Sequence, residues 1–144
     1  MGFLRSERGT SVVEFAIAAP VMILLVIGLI EIGRYTYFSI LAQNAAAAGA
    51  RYGAQNLQKA VDKTGITNAA VNDAQNLSQW KVTTQPICAQ NGAVISCPST
   101  TPPPGTFYYV EVQVNGTFHS LMNYPGVPTS MPLGATSIVR VESQ

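Results

Sequence analysis

The stretch VVEFAIAAPVMILLVIGLIEI, residues 12–32, decides the fold class of this 144-residue chain. Between Glu14 and Glu31 it runs for 16 residues without a charged side chain. As a helix, residues 12–32 would extend about 31 Å, close to the thickness of a bilayer's hydrocarbon core. The stretch therefore predicts one membrane-spanning helix. A cleavable signal peptide remains the alternative, because NAAAAGA at residues 44–50 could imitate a small-residue cleavage site.

The composition favours a membrane or assembly protein. Hydrophobic residues make up 47% of the chain and charged residues only 10%, with a net charge of +1. The eight basic residues are scattered, which argues against nucleic-acid binding. The sequence has no nucleophile motif, phosphate-binding loop, metal-ligand cluster or carboxylate pair at helical spacing, and we interpret its single histidine, His119, as structural. We therefore expect a non-enzymatic protein without cofactor, metal or small-molecule substrate.

Helical character continues past the apolar run, and we expect one helix over about residues 10–60. Residues 33–60 are rich in alanine and contain no proline. Tyr35, Tyr37 and Phe38 fall where an interfacial aromatic belt would lie.

Small residues predict how the outer half of this helix packs. Ala42, Ala46 and Ala50 recur every four positions, and Gly49 and Gly53 form a GxxxG pattern. This spacing allows close approach of a helix backbone to its neighbour. The alternative is a merely alanine-rich helix of high intrinsic propensity.

The remainder of the chain predicts a short helix followed by a sheet. We expect KAVDKTG, residues 59–65, to interrupt the first helix, and a second helix to start with Thr67 as its N-cap. Its buried face would carry Ile66, Ala70, Ala74 and Leu77. Residues 80–87, 107–115 and 133–141 alternate in polarity with period two, which predicts three antiparallel strands with one buried face. Ile138 is out of phase in the last of them.

The first helix is the natural cover for that face. The predicted fold class is therefore α+β: a long N-terminal transmembrane helix packs its outer half on a small antiparallel sheet, with a short second helix.

Cys88 and Cys97 are interpreted as a disulfide, because small domains outside the cytoplasm commonly need such a cross-link. Free thiols, or a metal site that also uses His119, are the alternatives. A two-residue turn at Asn91 and Gly92 would place Cys88 opposite Ile95. If the disulfide forms, we therefore expect a longer loop, such as residues 91–94, or an irregular one.

Flanking charges leave the orientation of the membrane helix undecided. Arg5 and Arg8 precede it, and Arg34 and Arg51 follow it, which is a tie by the positive-inside rule. An oxidised cysteine pair would break the tie, because it requires the C-terminal part to lie outside the cytoplasm.

The start of the apolar run, RGTSVVEF at residues 8–15, carries a family resemblance. Gly9, four intervening residues, Glu14 and Phe15, behind a short basic leader, resemble a class III (type IV-like) prepilin processing site. The longer string through EIGRYTY to residue 53 resembles the TadE family of the tight-adherence (Tad) pilus. YYVEVQV and LGATSIVRVE are similar to the closing strands of TadE-like, pilin-like domains.

The resemblance implies a set of roles and boundaries. Residues 1–9 would be a leader peptide that ends at Gly9, residues 10–33 the transmembrane part, and residues 34–144 an extracytoplasmic domain. A membrane prepilin peptidase would cleave before Thr10, and other pilin subunits would bind through the N-terminal helix. The protein would then be a minor pilin or pseudopilin of a bacterial inner membrane, acting in pilus initiation, assembly or adhesion.

Cleavage would also explain an acid inside an apolar helix. The new ammonium of Thr10 and the carboxylate of Glu14 would lie four residues apart on one helix face, where they could neutralise each other within or between chains. Major pilins of this system usually have tyrosine after the glutamate and are shorter, so Phe15 and the large C-terminal part favour a TadE-like role. The rival hypothesis is a single-pass, membrane-anchored binding module that enters no filament.

Overall fold

The computed structural model describes residues 8–74, 80–97, 104–123 and 128–142 and confirms the α+β class. The elements follow in chain order: α1 (Arg8–Gly53), α2 (Leu57–Val61), α3 (Lys63–Asp73), β1 (Lys81–Gln90), β2 (Ala93–Ile95), β3 (Thr106–His119) and β4 (Ser130–Arg140). The chain divides into two compact units, and the boundary between Thr36 and Tyr37 falls inside α1. We call them the N-terminal unit and the C-terminal unit.

The described part of the N-terminal unit consists of one apolar, exposed helix. Phe15 is 71% exposed and Leu29 is 69% exposed, and none of the most apolar 18-residue window of α1 is buried. By length and composition this helix is able to cross a membrane. A charged pair follows the apolar run: Arg34 Nη1 and Glu31 Oε2 lie 3.1 Å apart.

The first helix ends at Gly53, earlier than the predicted end near residue 60. The break has a local cause at Asn56. This residue is fully extended, with φ −166° and ψ 168°, and its side chain accepts a hydrogen bond from the backbone N–H of Lys59 at 2.8 Å. Asn56 is thus an N-cap, and it starts the short helix α2 at Leu57, ahead of residues 59–65, where the interruption was predicted.

The next helix, α3, begins before the predicted start, and the assignment of Thr67 as its N-cap is wrong. Asp62 is the cap, since its side chain accepts a hydrogen bond from the N–H of Gly65 at 2.9 Å. Thr67 lies inside the helix, and its hydroxyl donates to the carbonyl of Lys63. Ile66, Ala70 and Ala74 are buried as predicted, whereas Leu77 lies outside the described residues.

The sheet has the order β2-β1-β3-β4 with antiparallel pairing throughout. Along β3 the predicted alternation is confirmed by the buried residues Tyr108, Val110, Val112, Val114 and Phe118. Ile138 is out of phase as expected: it is 56% exposed and lies opposite Glu111 on the other face. The short strand β2 is an addition to the three predicted strands.

Two clusters of buried side chains form the core between the helices and the sheet. One joins Ala42, Ala45 and Ala46 of α1 to residues of α3, β3 and β4, among them Val114, Phe118 and Leu133. The other joins Ala50 of α1 to Ile66 of α3 and to Val110 and Val112 of β3. The C-terminal part of α1 therefore covers the sheet, as the sequence predicted.

Candidate functional site: the N-terminal helix

The predicted cleavage segment lies in the first turns of α1. Gly9 is exposed, and a Cβ added to it would meet no other atom within 4 Å. Thr10 follows in helical conformation, and Glu14 is exposed one turn later. Four residues of α-helix rise about 6 Å, so a backbone amine at residue 10 would lie within reach of a carboxylate at residue 14.

The helix around Glu14 offers a surface suited to lipid or to other apolar helices. Val13, Phe15 and Ile17 are each more than half exposed, and Phe15 lies on the opposite side of the helix from the other two. A helix that is apolar on all sides belongs in a membrane or in a bundle of similar helices. Glu14 is therefore an exposed carboxyl side chain at the start of an apolar helix.

The small residues in the C-terminal half of α1 pack within the same chain and do not form an exposed surface. Ala42, Ala46 and Ala50 are completely buried against the chain's own core. A Cβ at Gly49 would lie 3.2 Å from the carbonyl oxygen of Ile66, and one at Gly53 would lie 3.0 Å from Val110 Cγ1. The structure therefore brings these predicted packing residues together against α3 and β3 of the same chain.

The cysteines are joined in a disulfide with Cα atoms 5.1 Å apart. The prediction of a longer or irregular loop between the bonded cysteines is wrong. Asn91 and Gly92 form a two-residue turn with positive φ values of 53° and 80°, and Cys88 pairs with Ile95. Cys97 lies two residues beyond Ile95, after β2 has ended, so the chain there is no longer held in the strand register and can approach Cys88.

The structure also separates the cysteines from the histidine. Cys88 pairs with Tyr108 at one end of β3, and His119 is the last residue of that strand. Eleven strand residues span roughly 37 Å, which rules out a shared metal site. Within the described ranges, no group of three or more His, Cys, Asp or Glu side chains is placed to hold a metal ion.

Two polar clusters in the C-terminal unit were not anticipated from the sequence. On the open face of the sheet, Glu111 accepts hydrogen bonds from the side-chain amides of Gln85 and Gln113, both at 2.7 Å. These bonds, first that of Gln85 and then that of Gln113, lower the pKa of Glu111. The polar residues at odd-numbered positions of β3 predict a polar face. The contact with Gln85 could not be predicted, because it depends on the pairing register of β1 and β3.

The second cluster surrounds the cap of α3. The hydroxyl of Tyr52 donates to Asp62 Oδ2 at 3.0 Å, while Asp62 Oδ1 accepts from Gly65. The Gly65 N–H and then the Tyr52 hydroxyl lower the pKa of Asp62, and the bond to Asp62 raises the pKa of Tyr52. This arrangement fixes the α2–α3 corner against α1 and leaves both oxygens of the carboxylate occupied.

Comparison with known proteins bears on α1 alone. Residues 9–51 match the family model described as TadE-like protein. The N-terminal helix is TadE-like. The TadE-like segment starts at Gly9, contains Glu14 and includes the small residues as far as Ala50, while the sheet lies outside it. Searches of curated proteins and of solved structures found no match.

Proposed function

We propose that this protein is a structural subunit, a minor pilin or pseudopilin, of a Tad-type pilus. The observation that carries the proposal is the coincidence of two features in α1. The TadE-like match begins at Gly9, and the same helix is apolar and exposed over residues 12–32. A helix of this kind supports membrane anchoring first and packing among similar helices afterwards.

In this proposal a prepilin peptidase cuts the chain between Gly9 and Thr10. Cleavage removes residues 1–9 and leaves an ammonium one helical turn before Glu14. An unpaired charge in a dry helix bundle is heavily penalised, so pairing of this ammonium with Glu14 of the same or a neighbouring subunit would set the axial register of assembly. The chemistry of cleavage belongs to the peptidase, and the role of this chain is structural.

The C-terminal unit would then be the extracytoplasmic domain of a bacterial inner-membrane protein. The disulfide between Cys88 and Cys97 supports this orientation, because such bonds persist in oxidising compartments. Since Ala42, Ala46 and Ala50 are used in the chain's own core, contacts with other subunits fall to the exposed segment before Thr36. Residues 12–32 would thus be the assembly surface.

Intact-mass measurement after co-expression with a Tad prepilin peptidase tests the cleavage step. We expect a chain that starts at Thr10 and, with Gly9→Val, an uncut chain. Nothing lies within 4 Å of a Cβ at Gly9, so this substitution should leave the fold unchanged. Gly33→Val is the matched control, because Gly33 is equally open in the same helix. An uncut wild-type chain would favour the anchored binding module, and loss of the chain up to residues 44–50 would favour secretion.

Incorporation into pili tests the pairing step. Glu14→Ala and Glu14→Gln should both strongly reduce the amount of this protein in sheared pili while leaving cleavage intact. Glu142→Gln, which removes an exposed carboxylate of the C-terminal unit, should incorporate normally. Normal incorporation of both Glu14 variants would contradict the pairing of charges.

A further inference from the structure

We propose that the free edge of β4, from Gly134 to Arg140, is a self-association surface that pairs antiparallel with the same edge of a second copy of this chain. The inference goes beyond the proposed pilin role, because this surface lies in the C-terminal unit, outside residues 9–51 that match the TadE-like model. It depends on neither cleavage nor membrane insertion.

Strand β4 is the last strand of the sheet, and the register shows which of its backbone groups β3 leaves unused. The N–H of Val141 donates to the carbonyl of Tyr108 at 2.8 Å, and the N–H of Ser120 donates to the carbonyl of Thr129 at 3.0 Å. Hydrogen-bonded and non-hydrogen-bonded pairs alternate along an antiparallel ladder, and the register between these two bonds is continuous. Odd-numbered residues of β4 therefore bond to β3, and the N–H and C=O groups of even-numbered residues point away from the sheet.

The open part of this edge consists of the even-numbered residues Gly134, Thr136, Ile138 and Arg140. All of them are exposed, and the described part of the chain makes no further backbone hydrogen bond to them. Pro132, the next even position, has no N–H and ends the open stretch. A long exposed edge with few charged side chains is a template for another strand, and here the single charge lies at the end of the stretch.

The opposite edge of the sheet, formed by β1 and β2, is closed. Gln90 and Ala93 form the closing pair of the hairpin, so the even-numbered residues of β1 point away from β3. Strand β2 covers these outward groups as far as Cys88, and Pro86 supplies no N–H at the next outward position. Head-to-tail pairing of β4 with β1 of another copy is thereby disfavoured, whereas pairing of two β4 edges forms a closed dimer.

The free groups of β4 are arranged symmetrically about Ser137, which favours a second copy as the occupant. Antiparallel pairing about this residue sets Gly134 opposite Arg140 of the second copy, and Thr136 opposite its Ile138. Every outward N–H from residue 134 to residue 140 then meets a carbonyl, so the partial charges of the two edges are complementary. The two arginines lie at opposite ends of the pairing and each faces a glycine, so no like charges are opposed.

Cysteine cross-linking of the full chain in detergent tests this pairing. Ser137 would meet its own counterpart in a non-hydrogen-bonded pair with Cα atoms about 4.5 Å apart, inside the range of about 4.4–6.8 Å that a disulfide spans. Under mild oxidation, Ser137→Cys should therefore give a covalent dimer that reductant separates. Ser130→Cys is the matched control and should give little dimer, because it is exposed on the same strand but lies beyond Pro132.

A second substitution tests the ladder itself. In the Ser137→Cys chain, Thr136→Pro removes an outward N–H and no bond to β3, and it should abolish the cross-link. Thr84→Pro removes an outward N–H from the opposite edge and should leave the cross-link unchanged. Circular dichroism checks that both chains are folded, and Ile138→Lys, which adds a charge to the edge, replaces Thr136→Pro if proline disrupts the sheet.

The outcomes separate the possible occupants of the edge. Equal cross-linking at residues 130 and 137, a Ser137→Cys chain that stays monomeric, or a cross-link that persists in the edge variants would each overturn the proposal. A cross-link between Ser137→Cys and a different protein in the producing cell would show that the edge binds another strand, and would contradict the second copy as its occupant.

Discussion

Gly49 of α1 lies so close to Val112 of β3 that a Cβ at Gly49 would be 3.2 Å from Val112 Cγ1. The same added atom would lie 3.2 Å from the carbonyl oxygen of Ile66 and 3.3 Å from Ala70 Cβ. Helix α1 therefore approaches β3 and α3 at its backbone, and even a methyl group at residue 49 would require its neighbours to shift by a few tenths of an ångström.

Gly49→Leu should lower the free energy of unfolding of the C-terminal unit by about 2 kcal/mol, because overpacking outweighs the better helix propensity of leucine. Urea unfolding in detergent, followed through Trp80 fluorescence, measures this. Gly33→Leu is the control, since a Cβ there meets nothing within 4 Å. Equal effects of the two substitutions would contradict the close packing of α1.

A second close approach joins Gly116 of β3 to Trp80, whose indole ring would overlap a Cβ added at Gly116. Gly116→Ala should displace the ring, shift its emission and destabilise the unit by about 1–3 kcal/mol. In a Trp80→Ala background the same change should cost much less, because the clashing ring is gone. Urea unfolding followed by circular dichroism measures the stability of wild type, the two single variants and the double variant. If Gly116→Ala destabilises the Trp80→Ala chain as much as it destabilises wild type, the contact is refuted.

Removal of the disulfide should weaken the C-terminal unit without changing its fold. For the ten-residue loop closed by Cys88 and Cys97, chain entropy predicts a loss of about 2.5–3 kcal/mol. Cys88→Ala with Cys97→Ala is the suitable variant, because Cys88 is fully buried and serine would bury a hydroxyl. Wild-type protein unfolded in reductant should show the same loss. A stability unaffected by both treatments would contradict the cross-link's role.

Asp62 should make the C-terminal unit sensitive to acid. Its pKa is lower in the folded chain than in the unfolded one. Its contribution is therefore complete above the unfolded value of about 3.9 and is lost as the pH falls through the folded value. Asp62→Asn retains a capping side chain but should flatten the fall in stability below about pH 4. In this variant part of the loss of stability at low pH should remain, because the pKa of Glu111 is also lowered.

The two bonds to Asp62 predict an order among variants. Tyr52→Phe removes the hydroxyl bond and keeps the Gly65 bond, which is the larger cause of the lowered pKa. Its acid sensitivity should therefore lie between those of wild type and Asp62→Asn. A Tyr52→Phe profile as flat as that of Asp62→Asn would contradict this order.

Residues with strong local patterns allowed the fold to be predicted. The apolar run at residues 12–32 and the alternation in β3 each determine an element from composition and period alone. The end of α1 could not be predicted in the same way, since alanine and glutamine continue past Gly53 and the break depends on Asn56 adopting an extended conformation. Likewise, Thr67 and Asp62 are both acceptable caps by residue type, and tertiary packing selects Asp62.

The candidate site was predictable as far as it lies along one helix. The spacing of Gly9 and Glu14, and the small residues from Ala42 to Gly53, can be read from sequence positions. The partners of those small residues depend on contacts with β3, which is distant in the chain. The disulfide was predicted correctly but the geometry of its loop was not, because strand register places Cys88 opposite Ile95 and Cys97 approaches Cys88 only after β2 ends.

Ala42 and Leu133 share one core cluster although they belong to the beginning and the end of the C-terminal unit. During synthesis the small-residue face of α1 consequently lacks its partners in the sheet until β3 and β4 have left the ribosome. If residues 12–32 enter a membrane as proposed, they would do so while the later part of the chain is still unfolded. Under the proposed function, membrane insertion would come first, export of the remaining chain second and completion of the sheet last.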